Sequence, residues 1–452
     1  MPLSGIQIFK LLPKTNCGEC GVPTCLAFAM NLAAGKAEIV ACPYITEEAK
    51  SHLAEESAPP IRLVTVGVGN TARKIGGETV MFRHEKRFEN PPGIAILVAD
   101  TMADAEIDRR LKAFANLQYE RVGLTLRPEM IAVKSESGDA AKFEALVKKV
   151  KDKTDAGIIL MSQNPDVLAA GLKVAADRKP LIYAATAENL DKVAALAKEH
   201  ACPVVAKAGN VEGLVELTNR LTGAGIKDIV LDSGSRQLRQ LFQDQVIIRN
   251  AALGKKFRPL GFPTIILPYE LTDDPMKQAV IAGAFVAKYG GIIVLSEIAG
   301  HSLFPLLVER MNIYTDPQRP LATTEGIYEI GAPDENSPVL ITTNFSLTYF
   351  IVSGEIEASK IPAYLLVKDT EGLSVMTSWA AGKFVADSIA PFVKKSGIAD
   401  KVKHSKLIIP GYIAAESGGL EEELPGWEIM IGPREAGHIT AYLKSWTPQG
   451  GK

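Results

Sequence analysis

The chain has 452 residues, enough for about three domains at roughly 150 residues each. Its 50 basic and 52 acidic residues leave a net charge of −2, and 47% of its residues are hydrophobic. This balance argues against a polybasic nucleic-acid-binding protein and against a disordered chain. The sequence contains no apolar stretch suited to a membrane span, and Met1–Pro13 lacks the features of a signal peptide. A reducing cytoplasm is therefore the expected compartment.

Cysteines are concentrated near the amino terminus in the spacing C-x2-C-x4-C-x16-C, formed by Cys17, Cys20, Cys25 and Cys42. Glycines at positions 18 and 21 let the backbone turn tightly around the first three thiolates, and four soft ligands suit a 4Fe-4S cluster. Structural zinc competes with this interpretation, but four-cysteine zinc sites usually have two C-x2-C pairs and only one is present. Unliganded thiols are a third possibility. The remaining cysteine, Cys202, is expected to be a small buried apolar residue.

A stiff hinge is predicted after the cysteine module, at Ala58-Pro59-Pro60. Two short strand-like runs follow, at Ile61–Val68 and Thr79–Arg83. The intervening Gly67-Val68-Gly69-Asn70 resembles the start of a phosphate loop, but Ala72 stands where G-x-G-x-x-G needs its last glycine. We favour a hairpin turn at this position.

From Gly93 onward, short apolar runs alternate with helix-length amphipathic segments such as Ala141–Val150 and Asp191–Glu199. Such alternation over about 230 residues predicts a closed eight-stranded α/β (TIM) barrel, with an open doubly wound sheet as the alternative. The runs are Ile94–Val98, Ile131–Val133, Ile158–Met161, Leu181–Ala184, Val204–Ala206, Ile229–Leu231, Thr264–Leu267 and Ile292–Leu295.

Polar residues follow most of these runs, at the edge where such barrels place active sites. They are Asp100, Lys134, Gln163, Thr186, Lys207, Asp232, Glu270 and Glu297. Strands that emerge into solvent also become polar, and no histidine or cluster of metal ligands follows a run. Both catalysis at this rim and an ordinary solvated edge remain open.

A third unit is predicted after the linker Thr315-Asp316-Pro317-Gln318-Arg319-Pro320. Its apolar runs and a helical pattern over Ala380–Lys395 predict a small open α/β sheet, whose ligands would bind at the carboxyl ends of the strands. The loops there contain small residues, hydroxyl-bearing side chains and glycines. This composition suits a large planar or phosphate-bearing ligand, but it is also found in ordinary α/β connections. The runs are Val339–Thr342, Tyr364–Lys368, Lys406–Ile409 and Glu428–Ile431.

The order of these parts resembles the large (gamma) subunit of corrinoid iron-sulfur proteins of the acetyl-CoA synthase/decarbonylase (Wood-Ljungdahl) system. The resemblance rests on the four-cysteine module, the barrel, and the loops Thr-Thr-Asn-Phe-Ser and Gly-Leu-Ser-Val-Met-Thr, and it covers essentially the whole chain. It implies a 4Fe-4S module over 1–58, a linker with short strands over 59–92, a TIM barrel over 93–322, and an open Rossmann- or flavodoxin-like corrinoid-binding domain over 323–452.

The function that this resemblance implies is that of a methyl carrier acting with partner enzymes. In the family, cobalt as Co(I) accepts a methyl group from methyl-tetrahydrofolate or a pterin analogue through a methyltransferase, and delivers it to acetyl-CoA synthase. The 4Fe-4S cluster reductively reactivates cobalt that has oxidised to Co(II). The implied partners are a small corrinoid-protein subunit, forming a heterodimer, the methyl-tetrahydrofolate methyltransferase, and acetyl-CoA synthase/CO dehydrogenase.

The resemblance also implies site residues, with the four cysteines of the motif as cluster ligands. The corrinoid-binding positions are Thr343, Asn344, Ser346, Tyr349, Gly372, Leu373, Ser374, Val375, Met376, Thr377, Gly411, Gly432, Pro433, Arg434, Glu435 and Ala436. No D-x-H-x-x-G motif occurs, so we expect a base-off corrinoid with no histidine beneath the cobalt. A weak hydroxyl neighbour, Thr377 or Ser374, is expected there instead.

Two alternatives without a corrinoid stay open. An iron-sulfur TIM-barrel oxidoreductase would carry its reaction at the strand ends and bind a nucleotide in the C-terminal domain. A pure electron-transfer subunit would need only the cluster, which would leave most of the chain without a role.

Overall fold

The computed structural model describes residues 4–33, 36–50, 53, 58–297, 299–316 and 320–447. The chain divides into two compact units. The first comprises Met1–Phe82, Phe88–Leu117 and Arg127–Ile313, and the second comprises Arg83–Arg87, Gln118–Leu126 and Tyr314–Lys452. Residues 317–319 of the predicted second linker lie outside the described residues. The finer division into four parts stays a prediction.

The described part of the amino-terminal module includes the helices α1 (Gly5–Leu11) and α2 (Cys25–Ala33). Ser4 caps α1, because its side chain accepts from the backbone N–H of Gln7 while the Gln7 side chain accepts from the Ser4 N–H. The predicted hinge follows this module. Arg258 donates to the carbonyls of Ala58 and Pro59 at 3.2 and 3.1 Å, so hydrogen bonds hold this segment.

An antiparallel hairpin precedes the barrel and consists of β1 (Leu63–Val66) and β2 (Arg73–Gly76). The hairpin interpretation of the glycine-rich stretch is therefore confirmed, since Gly67 and Gly69 have positive φ in its turn. The second predicted run, Thr79–Arg83, is wrong as a strand. Its place in the hairpin is taken by Arg-Lys-Ile-Gly, which has a single apolar side chain and is selected by pairing with β1.

Ten strands follow in chain order: β3 (Gly93–Ala99), β4 (Tyr119–Arg121), β5 (Leu124–Leu126), β6 (Met130–Lys134), β7 (Gly157–Met161), β8 (Leu181–Ala185), β9 (Val204–Lys207), β10 (Ile229–Asp232), β11 (Thr264–Ile266) and β12 (Gly290–Leu295). All but β4 and β5 are parallel and close into a barrel in the order β10-β11-β12-β3-β6-β7-β8-β9. The closed barrel and all eight predicted runs are confirmed, and the open-sheet alternative is wrong. Continuous apolar runs are what strands buried on both faces require.

Amphipathic helices alternate with the barrel strands, and inward side chains such as Ala95, Ile159 and Val230 fill the interior. Val64, Val66 and Ile75 of the hairpin belong to the same buried cluster. The helices are α3 (Asp104–Asn116), α4 (Ala140–Lys153), α5 (Pro165–Ala175), α6 (Leu190–Glu199), α7 (Val211–Gly223), α8 (Leu238–Arg249), α9 (Pro275–Ala287) and α10 (Gly300–Ile313).

The second unit contains a five-stranded sheet in the order β13-β15-β14-β16-β17. Its strands are β13 (Gly326–Ile330), β14 (Val339–Thr343), β15 (Ala363–Lys368), β16 (Lys406–Ile409) and β17 (Glu428–Ile431). The parallel strands coincide with the four predicted runs. The antiparallel edge strand β13 was not predicted, because none of its residues is fully buried and its sequence carries no continuous apolar run.

Five helices accompany this sheet: α11 (Ser346–Ser359), α12 (Val375–Ala380), α13 (Ala386–Ser396), α14 (Ser417–Glu423) and α15 (Ile439–Leu443). The continuous helix predicted over Ala380–Lys395 is wrong at its start, because Gly382 adopts φ +70° and separates α12 from α13. The β4–β5 hairpin belongs to this unit, with the Arg121 guanidinium 4.6 Å from the centre of the Phe350 ring. In the described part of the chain no helix is long and apolar enough to cross a membrane.

Candidate functional site

A cavity of about 240 Å³ lies at the carboxyl ends of β14 and β16. The four parallel strands lie side by side in the order β15-β14-β16-β17. The chain moves to one side of β14 to form β15 and to the other side to form β16, so the strand order reverses between β14 and β16. Loops after these two strands run in opposite directions across the sheet and leave a crevice between them. The lining is mostly apolar: Leu340, Ile341, Thr342, Thr348, Val352, Ser374, Val375, Met376, Ile408, Ile409, Pro410, Tyr412, Gly432, Pro433, Arg434, Ala436 and Ile439.

Among the described residues, buried hydroxyl groups without a hydrogen-bond partner concentrate at this edge of the sheet. They belong to Thr342 and Thr343 at the end of β14, to Ser346 at the start of α11, and to Thr323. Thr342 is 1% exposed and lines the cavity. Because a buried polar group without a partner costs about 1–3 kcal/mol, such a concentration indicates groups that a ligand could satisfy.

Two glycines allow the loops after β16 and β17 to approach one another. A Cβ atom on Gly411 would stand 2.5 Å from the Gly432 carbonyl oxygen, and one on Gly432 would stand 3.0 Å from the Ile409 carbonyl oxygen. Tyr412 donates a hydrogen bond to Glu435 and joins the same two loops, which raises the pKa of Tyr412. These contacts form one wall of the cavity.

The predicted corrinoid positions separate into two groups. Those that line the cavity are Ser374, Val375, Met376, Gly432, Pro433, Arg434 and Ala436. The others lie behind it or beside it: Thr343, Asn344, Ser346, Tyr349, Gly372, Leu373, Thr377, Gly411 and Glu435. Asn344 is 4% exposed and bonded to the loop after β15, and Tyr349 packs against Tyr328 and Phe350 with ring centroids 4.9 and 5.4 Å away.

Several lining residues were not predicted. Thr342, Ile408 and Ile409 belong to the strands themselves, and Tyr412 lies in a loop from which only Gly411 was selected. The signal for Thr342 is present in the sequence, because Thr342 and Thr343 are the two hydroxyl-bearing residues of the otherwise aliphatic run Val-Leu-Ile-Thr-Thr.

Ser374 and Thr377, the predicted hydroxyl neighbours of cobalt, lie at the start of α12. Ser374 is the N-terminal cap residue of α12, and its Oγ lies 3.0 Å from Thr377 Oγ1. Of these two residues only Ser374 lines the cavity, and the Thr377 hydroxyl is hydrogen-bonded to it.

The four predicted cluster ligands are described by the structure. Cys25 and Cys42 are buried in the core of the amino-terminal module, Cys20 packs against that core, and Cys17 is exposed. Asn16 donates its backbone N–H to Cys25 Sγ at 3.4 Å. Within the described residues no three cysteine, histidine, aspartate or glutamate side chains are arranged around a possible metal ion.

The donor set nevertheless fits an iron-sulfur cluster. Three of the four thiols share one apolar cluster, and Gly18 and Gly21 adopt φ of +79° and +86°, which gives the tight turns that the motif needs. A thiolate that already accepts a backbone N–H is typical of such sites. Cys202, by contrast, is 3% exposed, and burial raises the pKa of its thiol to about 11, so it is the inert apolar residue expected.

Polar residues at the carboxyl end of the barrel strands are bonded to one another. Asp232, 2% exposed, accepts from the Tyr183 hydroxyl at 2.7 Å and from Arg236 at 2.9 Å. Arg236 also pairs with Glu270, which accepts from the Tyr269 hydroxyl. Burial alone would raise the pKa of Asp232, but hydrogen bonds from Arg236 and Tyr183 hold it below its ordinary value. Burial raises the pKa of Tyr183 well above its ordinary value.

Comparison with known proteins identifies the family. The family model described as "CO dehydrogenase/acetyl-CoA synthase delta subunit" matches residues 63–443. The "Corrinoid/iron-sulfur protein large subunit" of Moorella thermoacetica is 46% identical over 445 residues, covering 98% of this chain and 99% of the relative. The chain belongs to this corrinoid iron-sulfur protein large-subunit family. A second family model, "Putative Fe-S cluster", matches residues 12–44, which include all four cysteines of the motif.

Archaeal members of the family match over the same length. The acetyl-CoA decarbonylase/synthase complex subunit gamma of Methanopyrus kandleri is 38% identical and covers 98% of this chain and 97% of the relative. Subunit gamma 2 of Methanosarcina thermophila is also 38% identical and covers 99% of both chains. The predicted resemblance to the large (gamma) subunit is thus confirmed over module, barrel and C-terminal sheet alike.

Proposed function

We propose that this protein is a corrinoid-dependent methyl carrier and that the cavity at the carboxyl ends of β14 and β16 holds the corrinoid. The observation that carries the proposal is the combination of an open apolar cavity at the reversal of strand order with unpartnered buried hydroxyls. When bound, a corrinoid supplies a cobalt ion that accepts and releases a methyl group, and a 4Fe-4S cluster supplies a low-potential electron.

Different residues around the cavity would make different contacts with such a cofactor. Thr342 would donate its buried hydroxyl to a group held between β14 and α11. Exposed Arg434, which has no carboxylate partner in the described part of the chain, would pair with a phosphate of the cofactor. The glycines of the loops after β16 and β17 let these loops pack together into the wall against which the ring would lie.

Ser374 would lie at the lower face of the ring, with the Thr377 hydroxyl hydrogen-bonded to it. Neither hydroxyl is a strong ligand, and no histidine lines the cavity described here. We therefore propose a base-off corrinoid with no nitrogen ligand from the protein. Nitrogen coordination detected in the spectrum of the Co(II) form would contradict this assignment.

The amino-terminal cysteines would hold the 4Fe-4S cluster as its four ligands. Reductive reactivation of the cofactor is then the role we propose for the module, and the barrel serves as a scaffold. The proposal includes the cytoplasmic location and the partners implied above: a smaller corrinoid-protein subunit, a methyl-tetrahydrofolate methyltransferase and acetyl-CoA synthase/CO dehydrogenase.

Metal analysis with an ultraviolet-visible spectrum tests the proposal. The protein would be purified without oxygen together with its small partner subunit, and corrinoid would be offered during reconstitution. We expect about four irons and about one cobalt per chain, with a Co(I) band after strong reduction. Iron without cobalt would overturn the corrinoid assignment and favour the oxidoreductase or electron-transfer alternatives.

A further inference from the structure

A single buried side chain connects the end of β14 to the loop that leads to Ser374. Asn344 directly follows β14, and its Oδ1 accepts three hydrogen bonds from the segment after β15. The donors are the Thr370 N–H at 3.0 Å, the Thr370 hydroxyl at 3.1 Å and the Gly372 N–H at 3.0 Å. Its Nδ2 donates to Asp369 Oδ1 at 2.8 Å.

The segment held in this way has an uncommon backbone. Glu371 and Gly372 adopt φ of +58° and +73°, and the Leu373 N–H donates to the Thr370 carbonyl at 3.2 Å, which closes a tight turn. A non-glycine residue with positive φ costs free energy that neighbouring contacts must offset. Glu371 receives such support because its N–H donates to Asp369 Oδ1 at 2.9 Å, the atom that Asn344 also contacts.

The turn fixes the start of α12. Leu373, the last residue of the turn, is directly followed by Ser374, the cap residue of α12, which lines the cavity and whose hydroxyl lies 3.0 Å from Thr377 Oγ1. Asn344 itself does not line the cavity, and its side-chain oxygen and nitrogen are both bonded to the protein.

We propose that Asn344 is a positioning residue, not a cofactor contact: it holds the turn over Asp369–Leu373 and thereby places Ser374 against the bound corrinoid, with Thr377 hydrogen-bonded to Ser374. The inference rests on the proposed function and extends it to a residue outside the cavity. An amide suits this role because it offers an acceptor to the turn and a donor to Asp369 at the same time.

The first test needs no cofactor. In the apo-protein, Asn344→Ala removes both the acceptor for the turn and the donor to Asp369. We therefore expect hydrogen exchange at the Thr370 and Gly372 amides to rise about tenfold or more. Ser359→Ala is the matched control in the same domain. Its buried hydroxyl donates to the Ile356 carbonyl at 2.6 Å and accepts from the Ile361 N–H at 3.0 Å, just before β15 begins. Unchanged exchange at 370 and 372 in Asn344→Ala would overturn the inference.

The second test uses the corrinoid-loaded protein with its partner subunit. We expect Asn344→Ala to weaken corrinoid binding about tenfold and to alter the Co(II) electron paramagnetic resonance spectrum, while Ser359→Ala lowers stability and changes neither. Asp369→Asn is the conservative variant, because its amide oxygen can still accept from both Asn344 Nδ2 and the Glu371 N–H, and its corrinoid binding should stay close to that of the wild type. Asp369→Ala removes this acceptor and should weaken binding.

Equal weakening by Ser359→Ala, or equal weakening by Asp369→Asn and Asp369→Ala, would show that Asn344 acts only through stability and would overturn the inference. If the wild-type protein binds no corrinoid, the proposed function fails separately, and the exchange measurement still decides whether Asn344 holds the turn.

Discussion

Polar side chains lie at the carboxyl ends of the parallel strands in both the barrel and the C-terminal sheet, but the two sets differ in how far their hydrogen bonds are satisfied. At the barrel, Asp232, Arg236 and Tyr183 are bonded to one another, and Ser233 is the buried hydroxyl there without a partner in the described residues. At the sheet, several hydroxyls lack a partner beside an open cavity. Satisfied networks stabilise a fold, whereas unsatisfied groups at a cavity are available to a ligand.

The largest effect should come from breaking the barrel network. Asp232→Ala leaves the Tyr183 hydroxyl and the Arg236 guanidinium without their buried acceptor, and we expect a loss of about 3 kcal/mol in the free energy of unfolding. Corrinoid affinity of the folded protein should not change. Chemical denaturation and corrinoid titration measure the two quantities, and a loss of methyl transfer without a loss of stability would instead assign the barrel rim a role in the reaction.

A smaller effect is expected where two loops touch at the sheet. Gly411→Ala places a Cβ 2.5 Å from the Gly432 carbonyl oxygen, and this overpacking should cost about 1–3 kcal/mol. Corrinoid affinity should fall as well, because the same loops line the cavity. Gly418→Ala serves as a control, since a Cβ there meets nothing within 4 Å. If Gly411→Ala bound corrinoid as the wild type does, the loops would not be the cofactor wall.

Thr342→Val removes the unpartnered hydroxyl and should change stability and corrinoid binding in opposite directions. Replacing a buried polar group without a partner by an apolar one of the same shape should raise the stability of the apo-protein by up to about 1 kcal/mol. Loss of a donor to the cofactor should lower corrinoid affinity about tenfold, a difference that equilibrium titration resolves. Ser233→Ala at the barrel should share the stability gain and leave binding unchanged. Thr342→Val binding as tightly as the wild type would remove Thr342 from the site.

The pH dependence of stability should give the smallest effect and should distinguish the same two edges. The folded-state pKa of Asp232 lies below its ordinary value of 3.8, so the unfolded chain binds a proton first as pH falls. The stabilisation is therefore complete above pH of about 5 and is lost as pH falls through the folded-state pKa, at about 1.4 kcal/mol per unit of pKa depression. Asp232→Asn should flatten this part of the unfolding curve, and an unchanged curve would show that the carboxylate does not gain from Arg236.

Strands buried on both faces were predictable, because their burial constrains the residues of the strand itself. Each parallel strand of the barrel needs a continuous apolar run, and the runs coincide with the observed strands. Strands that form because a neighbouring strand pairs with them were not predictable from their own sequence. The strand β2 contains one apolar residue and exists because β1 lies beside it, and the edge strand β13 pairs only with β15. Neither sequence, Arg-Lys-Ile-Gly or Gly-Ile-Tyr-Glu-Ile, carries the continuous apolar run of a strand buried on both faces, so each strand is recognised only once its pairing partner is known.

The candidate site shows the same limit at the level of single residues. The loop around Ser374 and the glycines at 411 and 432 were selected from composition and resemblance. Whether a residue in such a loop faces a ligand or holds the loop depends on which way its side chain turns, as Asn344 and Thr342 show. Asn344 lies outside the cavity lining, with both its side-chain oxygen and its side-chain nitrogen hydrogen-bonded, whereas Thr342 lines the cavity with its hydroxyl unpartnered in the described residues.

The sequence by itself determined the four-cysteine module, the barrel, the parallel strands of the C-terminal sheet and the family, because ligand spacing and apolar periodicity are local properties of a chain. Only the tertiary structure decided where the cavity lies, which hydroxyls remain without partners and which side chains hold its loops. Those features arise from residues far apart in the sequence, such as Asn344 and Gly372 or Gly411 and Gly432, whose proximity is set by how the strands pair.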